Sequence, residues 1–163
     1  MKKNPNIYTV SFFGPREIPD SDISKIGDAL RRLIRKLLRT KENVRFLVMR
    51  RGIFDLLVTA AVYRVREEPG CRNCSLILVL PYVTDEYRYN KYLLESCYDE
   101  IKICRRPITV NLKRLFRRRV RRMIRRSDLV VCYIQHESGE VYQTIKYAKK
   151  QKKKICGAFG NKF

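Results

Sequence analysis

The chain has 163 residues, of which 45% are apolar, enough for one domain with a real core and little room for a second. Its 37 Lys and Arg face 16 Asp and Glu, and the formal net charge of +21 is a field that draws polyanions: nucleic acid, nucleotides or an anionic surface. No apolar run approaches a membrane span and no cleavable leader is visible, so the expectation is a cytoplasmic protein whose six cysteines are reduced thiols.

Strand-like and helix-like segments alternate along the chain. Residues 7–13 are rich in β-branched and aromatic types and end at Gly14-Pro15, a turn signal. Asp20, Ser21 and Asp22 supply cap chemistry for a helix over 23–39, with apolar residues at Ile23, Ile26, Leu30, Leu33, Ile34, Leu37 and Leu38. A second strand spans 44–49. Asp55 caps a second helix running to about 68, stopped by Pro69-Gly70. The unbroken apolar run 75–80 reads as a central parallel strand, buried on both faces. A short tyrosine-rich helix over 86–98 and a short strand over 101–103 follow. A strongly basic helix spans 111–126, a buried strand 129–134, a helix 140–150 and a last strand 154–159. Repeated strand–helix units predict a Rossmann-like α/β three-layer sandwich with a mostly parallel sheet, in one domain covering 1–163.

In such a sheet ligands bind outside the carboxyl ends of the strands. The loops there carry Gly14 and Arg16, then Arg50, Arg51, Gly52 and Asp55, then Ser138, Gly139 and Glu140. Two of them lead straight into helix N-termini, where free N–H groups and the helix dipole favour an anion. Gly52 and Gly139 are candidates for close backbone approach to a phosphate. The competing reading is that each glycine only makes a turn.

The stretch Tyr8-Thr9-Val10-Ser11-Phe12-Phe13-Gly14-Pro15-Arg16-Glu17-Ile18 resembles the first strand and loop of the YpsA-like members of the SLOG superfamily, which also includes the DprA and LOG proteins. Gly14 and Arg16 match that loop and Pro15 departs from it. Gly52, Phe54 and Asp55 match the Gly-x-Phe-Asp that closes the family's second loop, while Met49 stands where glycine is usual and Arg50 where glycine or asparagine is. Arg119, Met123, Ser127, Asp128 and Val130 match a later motif in which Val120 replaces an asparagine, and Glu140 replaces the second of a glycine pair. The resemblance implies a Rossmann-like fold binding a nucleotide or nucleotide-derived ligand at the second and last loops, with Arg119 facing the pocket. The pocket residues are degenerate. Arg50 and Arg51 add charge able to hold phosphate bidentately. The LOG-type Pro-Gly-Gly-x-Gly-Thr pattern is missing, which counts against phosphoribohydrolase activity.

Arg114, Arg117, Arg118, Arg121, Arg122 and Arg125 crowd one helix. Like charges at i,i+4 repel by about 0.2–0.5 kcal/mol per pair, so an anionic partner, DNA or RNA, is the alternative function. Tyr82, Tyr87, Tyr89 and Tyr92 cover a core edge or stack bases. Cys71-Arg72-Asn73-Cys74 lacks two further zinc ligands and precedes a strand rather than opening a helix, against metal or redox use. No cofactor is implied, and His136 stands in no nucleophile motif. A nucleotide-cleaving hydrolase is the third reading, without an evident acid–base pair. Apolar residues on exposed helix faces would serve a homodimer.

Overall fold

The computed structural model describes residues 4–104, 111–137 and 139–157. Its elements are β1 (Ile7–Phe13), α1 (Asp20–Thr40), β2 (Asn43–Val48), α2 (Ile53–Arg66), β3 (Cys74–Leu80), α3 (Asp85–Tyr89), α4 (Lys91–Cys97), β4 (Glu100–Ile103), α5 (Leu112–Arg126), β5 (Leu129–Cys132), α6 (Glu140–Lys150) and β6 (Lys154–Gly157). The strands form one sheet in the order β4-β3-β2-β1-β5-β6, and every pairing is parallel. The fold is Rossmann-like α/β, three layers deep.

Alternation along the strands divides the core. Val10, Phe12, Phe46, Val48, Leu76 and Leu78 face α1 and α2, meeting Ile26, Leu30, Ile34, Val58 and Val62. Phe13, Leu47, Ile77, Val79, Val130 and Cys132 face the opposite way, toward Met123 and Ile124 of α5 and Ile145 and Ala148 of α6. Each such side chain taken fully from water contributes about 1.5–3 kcal/mol. Helix and sheet are also pinned by polar contacts. The Ser11 hydroxyl lies 2.5 Å from that of Ser127, and the Thr9 N–H donates to Asp128 Oδ2 at 2.9 Å. Ser127 and Asp128 therefore tie the end of α5 to β1.

Several boundaries differ from expectation. Asp20, Ser21 and Asp22 do not precede α1; they open it, Pro19 is its N-cap, and no side-chain cap bond forms. Asp20 and Asp22 instead lie in the first turn, where the helix dipole favours acids. The single helix expected over 86–98 is two, broken at Asn90, the first capped by the Thr84 hydroxyl accepting the Tyr87 N–H. β5 ends at Cys132, and Tyr133 still donates its N–H to the Phe13 carbonyl as it enters the loop. β6 runs to Gly157; residues 158 and 159 of the expected strand lie outside the described residues. Strand order reverses between β1 and β5, so the crevice beside their carboxyl ends is where such sheets place ligands.

Candidate functional site

A cleft of about 580 Å³ opens there, between the ends of β1 and β2 on one side and α5 and α6 on the other. Phe13, Gly14 and Met49 form its inner wall, and Arg51 comes up from the second loop. Lys113, Arg117 and Arg121 border it from α5, at helical spacing of four. Phe116 and Tyr147 supply aromatic surface. The Arg121 guanidinium sits 5.0 Å over the Tyr147 ring, and Arg51 sits 5.3 Å over Phe116. Arg51 Nη1 meets Glu140 Oε2 at 2.9 Å, so the turns leaving β2 and β5 converge, as the ligand reading requires.

The two loop glycines of the first wall have a packing role. A Cβ on Gly52 would lie 2.3 Å from Arg16 Cα and 2.5 Å from its carbonyl oxygen, and one on Gly14 would lie 2.1 Å from the Phe54 ring. The Ile53 N–H donates to that Arg16 carbonyl at 2.8 Å. At Gly52 the close approach expected for a phosphate is therefore made by the Arg16 backbone. The Arg16 side chain is exposed and does not line the cleft. Arg50 does not line it either: its Nε donates to Glu86 Oε1 at 2.7 Å and its Nη1 reaches the Tyr98 hydroxyl at 3.4 Å.

Asp55 is the third residue of α2, after its N-cap Gly52, and its Oδ2 accepts the Arg51 N–H at 2.9 Å. It is therefore not the N-cap expected from the sequence but reaches back from the first turn to the backbone before the helix, and its Oδ1 is buried without a partner. Burial pushes the Asp55 carboxyl above its usual range, against the pull of the Arg51 N–H and the charge of Arg119. Arg119 is 2% exposed. It lies 5.3 Å over Phe116 on the way to the Val79 carbonyl, with Nε and Nη2 unpartnered. Burial first, then repulsion from Arg51, brings its guanidinium down to about 10. Arg119 does not face the strand-end cleft, as the resemblance implied, but lines a groove on the other flank of α5, and Asp55 lines neither; buried polar atoms left without partners are costly on both side chains.

Gly139 is the N-cap of α6 at φ +89°, where an added Cβ meets nothing within 4 Å. Unlike Gly52, it is not packed against a neighbouring backbone among the described residues, and no side chain caps the helix. Glu140 lines the cleft and holds Arg51. Ser138 lies outside the described residues.

Arg114, Arg117, Arg118, Arg121, Arg122 and Arg125 are all exposed. Among the described residues none of them is in an ion pair. Arg117 and Arg121 border the cleft, whereas Arg118, Arg122 and Arg125 line a groove on the opposite flank of α5. Sequence reasoning missed Lys113, Phe116 and Tyr147. Their signal was periodicity: 113, 117 and 121 share one face of α5, and 140, 144 and 147 one face of α6. The Cys71 and Cys74 thiols are free, and burial raises that of Cys74, opposite to what a reactive thiolate needs. No described helix is long and apolar enough to cross a membrane. Among the described residues no three His, Cys, Asp or Glu gather as metal ligands.

No protein-family model matches the sequence, and no curated protein matches it. Solved structures do share the fold. DNA processing protein A from Helicobacter pylori, described for its single-stranded DNA binding mode, aligns with a TM-score of 0.64 and 15% identity over 92% of this chain and 64% of that one. DNA processing protein A (DprA) from Streptococcus pneumoniae aligns with a TM-score of 0.64 and 13% identity over 93% of this chain and 50% of that one. The chain thus spans between half and two thirds of these neighbours' length.

Proposed function

We propose that the strand-end cleft binds the phosphate of a nucleotide or nucleotide-derived ligand, in the manner of a YpsA-like SLOG domain with a retuned pocket. The observation that carries this is the gathering of Arg51, Lys113, Arg117 and Arg121 around a cleft walled with Phe116 and Tyr147, beside the N-terminus of α6. Arg51 and Arg121 neutralise the phosphate, and the first N–H groups of α6 after Gly139 complete its cradle. Phe116 and Tyr147 offer faces to a base. Gly14 and Gly52 act indirectly, letting the first two loops pack closely enough to aim Arg51. A thermal-shift panel of nucleoside mono-, di- and triphosphates and dinucleotides tests this. At least one stabilises the wild type and fails to stabilise R51Q/R121Q. A panel that stabilises neither protein overturns the proposal.

A second reading, single-stranded nucleic acid along α5, is favoured by six exposed arginines that have no carboxylate partner among the described residues. The Helicobacter pylori neighbour binds single-stranded DNA, which supports this reading by likeness of fold. It requires an affinity for a labelled oligonucleotide that falls steeply with salt. Salt-independent or undetectable binding removes it.

A further inference from the structure

We propose that the groove on the other flank of α5, away from the strand-end cleft, is a separate site for the backbone phosphates of a single strand of nucleic acid, with Arg45 and Lys102 on the sheet face behind its lining. The inference rests on the second reading above and adds to it a path for the strand.

The groove measures about 670 Å³ and runs between Ile103 and Cys104 at the end of β4 and the Arg118, Arg122 and Arg125 side of α5. Register fixes which strand residues look toward it. Lys102 pairs with Val79 and Arg45 with Ser75, one step before Leu76. Val79, Ile77 and Leu47 belong to the face packed by α5 and α6. Side chains alternate across a strand, so Arg45 and Lys102 turn to that same face. Both strands thus present a cation where the sheet would ordinarily present an apolar side chain.

These cations sense one another. Burial, and then the charges of Arg45, Arg126 and Arg122, draw the Lys102 ammonium down despite Glu100. Burial and the charge of Arg122 do the same to Arg126. Glu100, 3.8 Å from Lys102, is the one carboxylate paired to these cations among the described residues. Arg45 Nε is buried without a partner. Arg119, 2% exposed, lines the same groove with Nε and Nη2 unpartnered. Apolar side chains of similar volume would be as stable there or more so. Clustered, under-satisfied cations beside a groove create a field that favours a polyanion.

The form of the groove selects the polyanion. Arg118, Arg122 and Arg125 recur at four and three residues, about 6 and 4.5 Å apart along the helix axis, which suits a chain of successive phosphates. Lys102 and Arg45 lie on the sheet face that α5 covers, behind the residues lining the groove, and the Lys102 side chain is only 28% exposed. A duplex is a stiff rod whose phosphates meet rim arginines alone. A flexible single strand can lower phosphates toward Lys102 and Arg45.

Fluorescence anisotropy with a labelled oligothymidylate of about 20 nucleotides, and with a duplex of equal length, tests the inference across a salt series. Each lost contact lowers the log–log salt slope by about 0.7 and affinity by about five-fold at ~0.1 M salt. R45Q/K102Q therefore weakens single-strand binding by about 25-fold and leaves duplex binding within two-fold, while R45K/K102R restores single-strand affinity. Should R45Q/K102Q fold poorly by thermal melt, R122Q/R125Q, altered only at exposed positions, gives the same single-strand loss. If R117Q/R121Q weakens the oligonucleotide but neither R45Q/K102Q nor R122Q/R125Q does, the strand follows the cleft flank: this inference falls and the second reading stands. If the wild type binds no oligonucleotide at low salt, both fall.

Discussion

Replacing Glu140 by Gln separates a ligand cleft from a merely packed one. Its carboxylate lies 2.9 Å from the Arg51 guanidinium, with Glu140 largely exposed and Arg51 17% exposed. Losing so exposed a pair costs about 0.2–1 kcal/mol, or at most ~4 °C in Tm for a domain of this size. Binding gains in return. A phosphate held by Arg51 would lie about 5 Å from the Glu140 carboxylate, and at an effective dielectric between about 20 and 80 they repel by ~0.8–3.3 kcal/mol. Because Glu140 faces water, the lower end governs, and each phosphate charge gains about 4- to 10-fold in affinity when Glu140 becomes neutral. Isothermal titration calorimetry with inorganic pyrophosphate and with adenosine diphosphate, at matched salt, measures it. E140Q binding more tightly than wild type supports the assignment of Arg51 as a phosphate ligand. Equal or weaker binding by E140Q refutes that reasoning and makes the Arg51–Glu140 pair a plain helix-end contact.

Three further outcomes follow from the same geometry. Gly52→Ala forces a methyl to 2.3 Å from the Arg16 backbone, so denaturant melts show a loss of about 1–3 kcal/mol; an unchanged midpoint contradicts the packing role. Arg119→Met replaces a buried, under-satisfied cation that lines the groove on the β4 flank of α5 with an apolar chain of similar length, so Tm holds or rises while oligothymidylate binding weakens and adenosine diphosphate binding is unchanged. A large fall in Tm would make Arg119 structural. Burial holds the Asp55 carboxyl above its usual value, so its neutral form favours the fold fully below the ordinary carboxylate range, and this contribution is lost as pH rises through the raised value. Asp55→Asn keeps the acceptor for the Arg51 N–H without the charge. Its Tm relative to wild type therefore climbs as pH rises from the ordinary carboxylate range through the raised value, and a falling difference overturns the assignment.

The fold was legible because strand and helix periods differ and the apolar runs are clean. Residues 75–80 could only be a doubly buried strand, and the spacing of Leu115, Met123 and Ile124 oriented α5 correctly. That same spacing carried an unread signal: Leu115, Arg119 and Met123 stand four apart, so Arg119 had to share their buried stripe. Other features depend on tertiary contacts that no local pattern encodes. Arg50 and Arg51 are adjacent, yet one meets Glu86 and the other Glu140, because successive side chains diverge as the strand ends. Gly52 looked like a phosphate turn and proves to accommodate Arg16, 36 residues earlier, whereas Gly139 packs against no such neighbour among the described residues. The break at Asn90 was missed because the Thr84 cap lies in a run that reads simply as loop. Arg45 and Lys102 gained meaning only once register placed them on one face.

The central claim, that Arg51, α5 and the α6 N-terminus together hold a phosphate, is tested most directly by amide chemical-shift perturbation on titrating the protein with adenosine diphosphate. The account predicts saturable shifts concentrated at Arg51, along Lys113, Phe116, Arg117 and Arg121, and at Gly139, Glu140 and Val141. Shifts absent from all three segments, or confined to the β4 flank of α5, would contradict it.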